Sequence, residues 1–318
     1  MPKYRYDLPQ LGDRIFLSDG GLETTLIFHD GIELPHFASY VLLETEEGRE
    51  RLKAYYEKYL SIALARGVGF ILDSVTWRAN PDWGLKIGHG PAELKAIDIA
   101  AIRLLEELRE KWETPATPLV IGGAIGPRGD GYKAGRMNEA EAEAYHAPQI
   151  RTFAETAADM VSAYTMNNHH EAIGIARAAA DLAMPCMISF TVETDGKLVT
   201  GMELGDAINA VDDATSGSPA YYMINCAHPT HFTQALQANE SWVKRIRGVK
   251  ANASAKSHQE LDESETLDAG DPIDLGLRYN LLRRNFPGVR ILGGCCGTDH
   301  RHVAAICEAC VPQERQVA

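Results

Sequence analysis

The sequence predicts a single (β/α)8 barrel over residues 1–318. Three observations carry this expectation. Short, continuously apolar runs alternate along the chain with longer stretches whose apolar residues recur at helical spacing. Runs of that kind, buried on both faces, belong to a parallel sheet covered by helices. Eight such strand–helix units can be counted, the number that closes a barrel. The rival architecture is an open doubly wound sheet. No Gly-x-Gly-x-x-Gly follows the first strand, and Gly20-Gly21 alone is weak support for it.

The elements follow in order. Arg14–Asp19 reads as the first strand, ended by Gly20-Gly21. Leu52, Tyr55, Tyr59, Ile62 and Ala63 then share one helical face. Gly69–Thr76 is the second strand, and Pro91 opens a helix striped by Leu94, Ile97, Ala101, Leu104 and Leu108. Pro118–Ile125 is the third strand, ended by Gly126-Pro127, and a helix covers 139–157. Asp159–Thr165 is the fourth strand, 169–182 a helix, and Pro185–Thr191 the fifth strand. A helix near 204–211 precedes the sixth strand, Tyr221–Cys226. A short helix around 233–239 leads to the seventh, Ile246–Asn252. After a polar loop (254–271), a helix near 273–285 leads to the eighth strand, Val289–Leu292. Gly293-Gly294-Cys295-Cys296-Gly297-Thr298 follows, and 299–310 closes the count as a helix capped by Thr298-Asp299.

Composition is that of an ordinary globular chain, 45% hydrophobic and 24% charged. The net charge of −13 disfavours nucleic acid or an anionic membrane as partner. No apolar run reaches transmembrane length, and Met1–Asp7 has no apolar signal-peptide core. Six cysteines in so long a chain do not form a disulfide framework, so a reducing, cytoplasmic setting is expected.

Chemistry collects where strands end, because in a barrel those ends share one face. They carry Asp19, Thr76, Gly126, Tyr164, Thr191, Asn225-Cys226, Asn252 and Cys295-Cys296. Cys226 ends strand six and Cys295-Cys296 end strand eight, two strands apart around the ring. Three thiolates there reach one soft divalent ion such as zinc and leave its fourth position open. Cys186, inside a strand, reads as core. Cys307 and Cys310 form a C-x-x-C, yet they share a helical face with Val303 and Ile306, which favours core. His228 and His231 read as hydrogen-bonding or solvated side chains, and His169-His170 as surface. Trp77 and Trp83 follow a strand at the functional face, where core and binding roles are equally open.

Asp19–Leu26 (Asp-Gly-Gly-Leu-Glu-Thr-Thr-Leu) resembles the opening motif of the homocysteine S-methyltransferase family. So do Ile125-Gly126-Pro127, Ile188–Thr191 followed by Asp195-Gly196, Asn225-Cys226-x-x-Pro229, and Gly293–Thr298. The resemblance spans residues 19–298, and the Asn-Cys and Gly-Gly-Cys-Cys pair in this order is its specific part. It implies a zinc-bearing barrel that methylates the sulfur of homocysteine, with Cys226, Cys295 and Cys296 as zinc ligands. It also implies that Asp19 and Gly20 hold the amino-acid portion of the acceptor. Thr76, Tyr164 and Asn225 complete the expected substrate contacts. Relatives carry Glu where this chain has Tyr164, and Arg78 stands near the donor pocket of relatives. Both departures bear on which acceptor and donor are used.

The expected partners are therefore a small-molecule thiol and a methyl donor, with no nucleic acid or membrane; the oligomeric state is open. No side chain is expected to be catalytic beyond the substrate thiol activated by zinc. Zinc lowers the pKa of a bound thiol, and a sulfonium or quaternary ammonium donor leaves as a neutral molecule. The rings of Trp77, Trp83 or Tyr164 are suited to hold such a cation. Rival readings are a non-catalytic zinc or thiol binder and a redox protein using Cys295-Cys296. A zinc hydrolase is disfavoured, since no H-E-x-x-H is present.

Overall fold

A computed structural model describes residues 1–312 except 238 and 265. Eight parallel strands close into a barrel in chain order. They are β1 (Phe16–Leu17), β2 (Gly69–Asp73), β3 (Leu119–Ile125), β4 (Met160–Met166), β5 (Cys186–Phe190), β6 (Tyr221–Asn225), β7 (Ile246–Ala251) and β8 (Ile291–Gly294). β1 pairs with both β2 and β8, which completes the ring. The long outer helices are α1 (Glu46–Arg66), α2 (Pro91–Trp112), α3 (Glu139–Ala154), α4 (His169–Asp181), α5 (Leu204–Thr215), α6 (Pro272–Asn285) and α7 (His300–Cys310).

Their starts are chemically marked. Thr45, Asn138, Asn168, Asp271 and Asp299 each accept a backbone N–H in the first turn of α1, α3, α4, α6 and α7. At the other end of α1, Gly67 takes a left-handed conformation (φ 59°) and ends the helix.

Two apolar layers result. The larger lies between strands and helices, and it includes Cys186, Cys307 and Cys310 as sequence reading expected. The smaller fills the barrel's own lumen with Phe16, Ile71, Val120, Met160, Met187, Tyr221, Met223 and Ile291. Glycines make room for it: a Cβ on Gly248 would lie 2.6 Å from the methyl of Met223. Nearer the strand C-termini the lumen turns polar, with Ser18, Asp73, Ser162, Ser189, Asn225 and Lys250 all buried.

The structure departs from the sequence reading in three places. The helix expected around 233–239 is a single turn, Pro229–Phe232, followed by a 3-10 turn at Trp242–Arg245. Position 238 of that expected helix lies outside the described residues. Pro229 sets the early start, since its ring fixes φ and its missing N–H is no loss at a first turn. Gly293 and Gly294 belong to β8, paired with Lys250 and Ala251, rather than to the loop after it. β2 ends at Asp73, so Thr76 sits in the loop beyond. Residues 313–318 of the expected 1–318 domain lie outside the described residues.

Candidate metal and thiol site

The ligand atoms of Cys226, Cys295 and Cys296 all lie within 4.8 Å of one another at the mouth of the barrel. The Cys226 and Cys295 sulfurs are brought into direct contact, with Cys296 beside them. Adjacent cysteines are poorly placed to bond to each other, whereas β6 and β8 lean two sulfurs together across β7.

Cys226 is held at its backbone and at its sulfur. Its backbone is left-handed (φ 53°), as is that of Thr165 (φ 62°) at the end of β4. Such conformations cost on the order of 1–3 kcal/mol each and persist only where neighbours impose them. Asn225 imposes both. Its carbonyl oxygen accepts from the Thr165 N–H at 2.9 Å and from the Ser189 hydroxyl at 2.6 Å. Its amide donates to the Thr165 hydroxyl at 2.9 Å and to the Cys226 sulfur at 3.2 Å. Asn252 and His258 both donate to the Cys226 carbonyl, at 3.0 and 2.5 Å. Both polar atoms of the Asn225 side chain are thus engaged in positioning, one of them on a cysteine sulfur.

The Cys295-Cys296 loop is held from the other side. Cys295 N–H donates to the Ala251 carbonyl at 2.8 Å, and the Thr298 hydroxyl donates to the Cys295 carbonyl at 2.7 Å. Gly21 lies so close that a Cβ would come within 2.6 Å of that same carbonyl, and one on Gly20 within 2.8 Å of the Tyr59 hydroxyl. The first loop and the last therefore pack on each other, which is the physical content of the two glycine-rich motifs.

The remaining expected contacts divide. Thr76 is fully buried and gives its hydroxyl to the Ala124 carbonyl at 2.8 Å, so it braces β3. Asp19 is engaged twice. Lys250 Nζ lies 2.5 Å from its Oδ1, and the Tyr55 hydroxyl donates to its Oδ2 at 3.0 Å. Tyr164 donates its hydroxyl to Asp73 Oδ2 at 2.6 Å, and Lys250 Nζ stands 5.1 Å above its ring. Burial pushes the Asp73 carboxyl above its usual range. Burial alone would lower the Lys250 pKa, but Asp19 and Asp73 outweigh it and keep the ammonium charged.

Trp77 and Trp83 already carry cations of the chain itself. The guanidinium of Arg78 lies between them, 4.2 and 3.9 Å from the ring centroids, and Lys86 covers Trp83 at 3.7 Å. The chain supplies its own cation to both rings. His228 caps the turn at Pro229, and His231 reaches the Ala255 carbonyl at 2.9 Å; both hold backbone. His169 is half-buried and His170 exposed.

Lys250, Asp73, Tyr132 and His258 were not singled out by sequence. The Tyr132 hydroxyl sits 3.9 Å from the Cys296 sulfur, and its ring packs on His258 at 4.2 Å. Tyr132 belongs to the 126–138 loop, which Asn167 anchors by donating to the carbonyls of Asp130, Gly131 and Lys133. The one available signal was Lys250, a charge inside an otherwise buried strand.

Three soft sulfur donors converging on one point suit a soft divalent cation. Burial pushes the Cys296 thiol up to about 11, so its thiolate calls for a neighbouring positive charge.

A sequence model of the homocysteine S-methyltransferase family matches residues 16–310. The homocysteine S-methyltransferase of Escherichia coli (strain K12) is 26% identical over 310 residues, covering 92% of this chain and 94% of that protein. Two solved structures share the fold. The homocysteine methyltransferase MmuM of Escherichia coli in its oxidized form superposes with a TM-score of 0.74 at 22% identity, covering 94% of this chain and 97% of that one. Its metallated form gives 0.72 at 23%, covering 96% and 99%. With the match running from the first strand to the last helix, this chain belongs to the homocysteine S-methyltransferase family.

Proposed function

We propose that the protein transfers a methyl group from a cationic donor, a sulfonium or quaternary ammonium compound, to homocysteine or a related thiol, and that zinc held by Cys226, Cys295 and Cys296 serves the reaction. The observation that carries this reading is the convergence of three cysteine sulfurs within 4.8 Å at the barrel mouth. Zinc bound there would supply a Lewis acid that stabilises the acceptor as a thiolate at neutral pH.

The chain's own residues supply the rest. Asn225 fixes Cys226, and the Gly20-Gly21 and Thr298 contacts fix Cys295, so the sulfurs keep their convergence without a substrate. Asp19, Gly20 and Tyr164 line the lumen beneath, where the acceptor's tail would lie. Tyr132 closes the side next to Cys296. In the transfer, the acceptor sulfur forms a bond to the methyl carbon. The bond between that carbon and the donor heteroatom breaks, and its electron pair stays on the donor, which leaves neutral. No side chain has to protonate the leaving group.

The test is incubation of zinc-loaded protein with homocysteine and a panel of methyl donors, with methionine read by mass spectrometry. Cys→Ala at any of the three positions is expected to remove most of the metal and all turnover. Full zinc content in Cys226→Ala, with loss only in Cys307→Ala, would move the site to α7 and discard this reading. A non-catalytic zinc binder would instead keep its metal and methylate no thiol.

A further inference from the structure

We propose that the outer face of α6 is the contact by which two copies of this chain form a two-fold dimer, with the two helices lying antiparallel against each other.

Sequence and burial define the face. In α6 (Pro272–Asn285), Ile273, Leu277 and Leu281 recur every fourth residue, so they stand one above another on a single ridge. They are 70, 61 and 58% exposed. Other residues already seat the helix on the barrel. Leu275, Tyr279 and Leu282 are buried, and a Cβ on Gly276 would come within 2.7 Å of the Ala305 carbonyl of α7. At 3.6 residues per turn the apolar ridge lies on the opposite side, facing away from the molecule. Single exposed apolar side chains are ordinary, but a contiguous row marks a contact surface. Among the described residues, no other outer helix carries more than one large exposed apolar side chain, and that one is Leu64 in α1.

The occupant follows from the pattern along the helix. Ile273 precedes Leu277 by four residues and Leu281 follows it by four. A two-fold axis at Leu277 therefore sets Leu277 on its own copy and Ile273 on the copy's Leu281. Charge is arranged in the same sense. Asp271 and Asp274 stand at the start of α6, and Arg283 and Arg284 in its last turn. Arg283 donates to the carbonyls of Val289 and Cys310, at 3.1 and 2.6 Å, whereas Arg284, Asp271 and Asp274 are exposed. Asp274 also holds Arg278 of its own helix at 2.6 Å. Antiparallel pairing brings Arg284 of each copy toward the acidic start of the other and sets the helix dipoles head to tail. Parallel pairing would place like charges together. A lipid surface is the poorer match, because the chain carries a net charge of −13 and anionic membranes repel it.

One 14-residue helix offers a small interface, so a dissociation constant on the order of 10 µM is expected. Sedimentation equilibrium of the full chain, over about tenfold either side of that value, should show a monomer–dimer equilibrium. Leu277→Lys buries a charge at the axis and should weaken the dimer by about tenfold or more. Its thermal melt by circular dichroism should match wild type, because Leu277 is exposed. At low ionic strength, Arg284→Glu and Asp274→Lys should each weaken self-association by about threefold. An equimolar mixture of those two variants should associate as wild type does, since each supplies the charge the other lacks across an antiparallel contact. A wild-type chain that stays monomeric throughout overturns the proposal. A dimer untouched by Leu277→Lys uses another face and overturns it too. Should Leu277→Lys fail to fold, the mixture decides: association no tighter than that of either variant alone discards the antiparallel contact.

Discussion

Asn225 shows how much one side chain can settle. It holds two left-handed residues and touches a cysteine sulfur, so Asn225→Leu should lose more than its volume suggests. Leaving the Thr165 N–H and Ser189 hydroxyl without an acceptor costs about 1–3 kcal/mol. Zinc retention, read by metal analysis after dialysis, should fall although all three cysteines remain. Retention equal to wild type would mean that Cys226 is held by Asn252 and His258 alone. Asp98 offers the opposite case. It is buried in α2, its carboxyl receives only the Gln149 amide at 3.1 Å, and burial raises its pKa well above the ordinary range. Below about pH 3.8 the acid is neutral in both folded and unfolded chains. Above that, the unfolded chain gains by ionising and the folded chain does not. Asp98→Asn should therefore stabilise at pH 7 by on the order of 1 kcal/mol, about 2 °C in melting temperature for a chain this long. The gain should vanish at pH 3. A lowered melting temperature at pH 7 would indicate that the carboxyl is required in its present form. What sequence reveals at this scale is uneven. The three cysteines were legible because their motifs name them. The Lys250–Asp19 pair was not, because its members are 231 residues apart and a lysine in a strand reads as an exposed edge.

At the scale of elements, strand order and helix placement were readable because apolar continuity and helical spacing are local properties. Loop chemistry is not local. The sandwich of Arg78 between Trp77 and Trp83 depends on the short helix Pro81–Ile87 turning back over the strand end, which no spacing rule anticipates. The start of α7 carries a testable device. Asp299 accepts the Arg301 N–H at 2.8 Å and bonds His302 and the Arg301 guanidinium. Burial works against ionisation, but His302 and Arg301 prevail and hold the carboxyl well below its usual range. Its stabilisation is complete above the unfolded value near pH 3.8 and is lost as pH falls further toward the folded value. Asp299→Ala should cost about 1 kcal/mol at pH 7 and flatten the acid limb of stability below about pH 4. Urea melts across pH 2–7 would reveal it, and parallel curves for variant and wild type would rule it out.

At the scale of the molecule, the barrel closes through a first strand of only two residues, Phe16–Leu17, which must pair with a strand near the other end. The first loop also packs against the Cys295 carbonyl, so neither motif is complete without its partner at the opposite terminus. This ring closure dictates an order of events during synthesis. Cys226 leaves the ribosome 69 residues ahead of Cys295. At roughly 5–20 residues per second, it spends several seconds without its companions. A nascent chain stalled before residue 291 would own one of the three sulfurs and no closed lumen. Capture of a metal by all three sulfurs is thus open only to chains translated past residue 296.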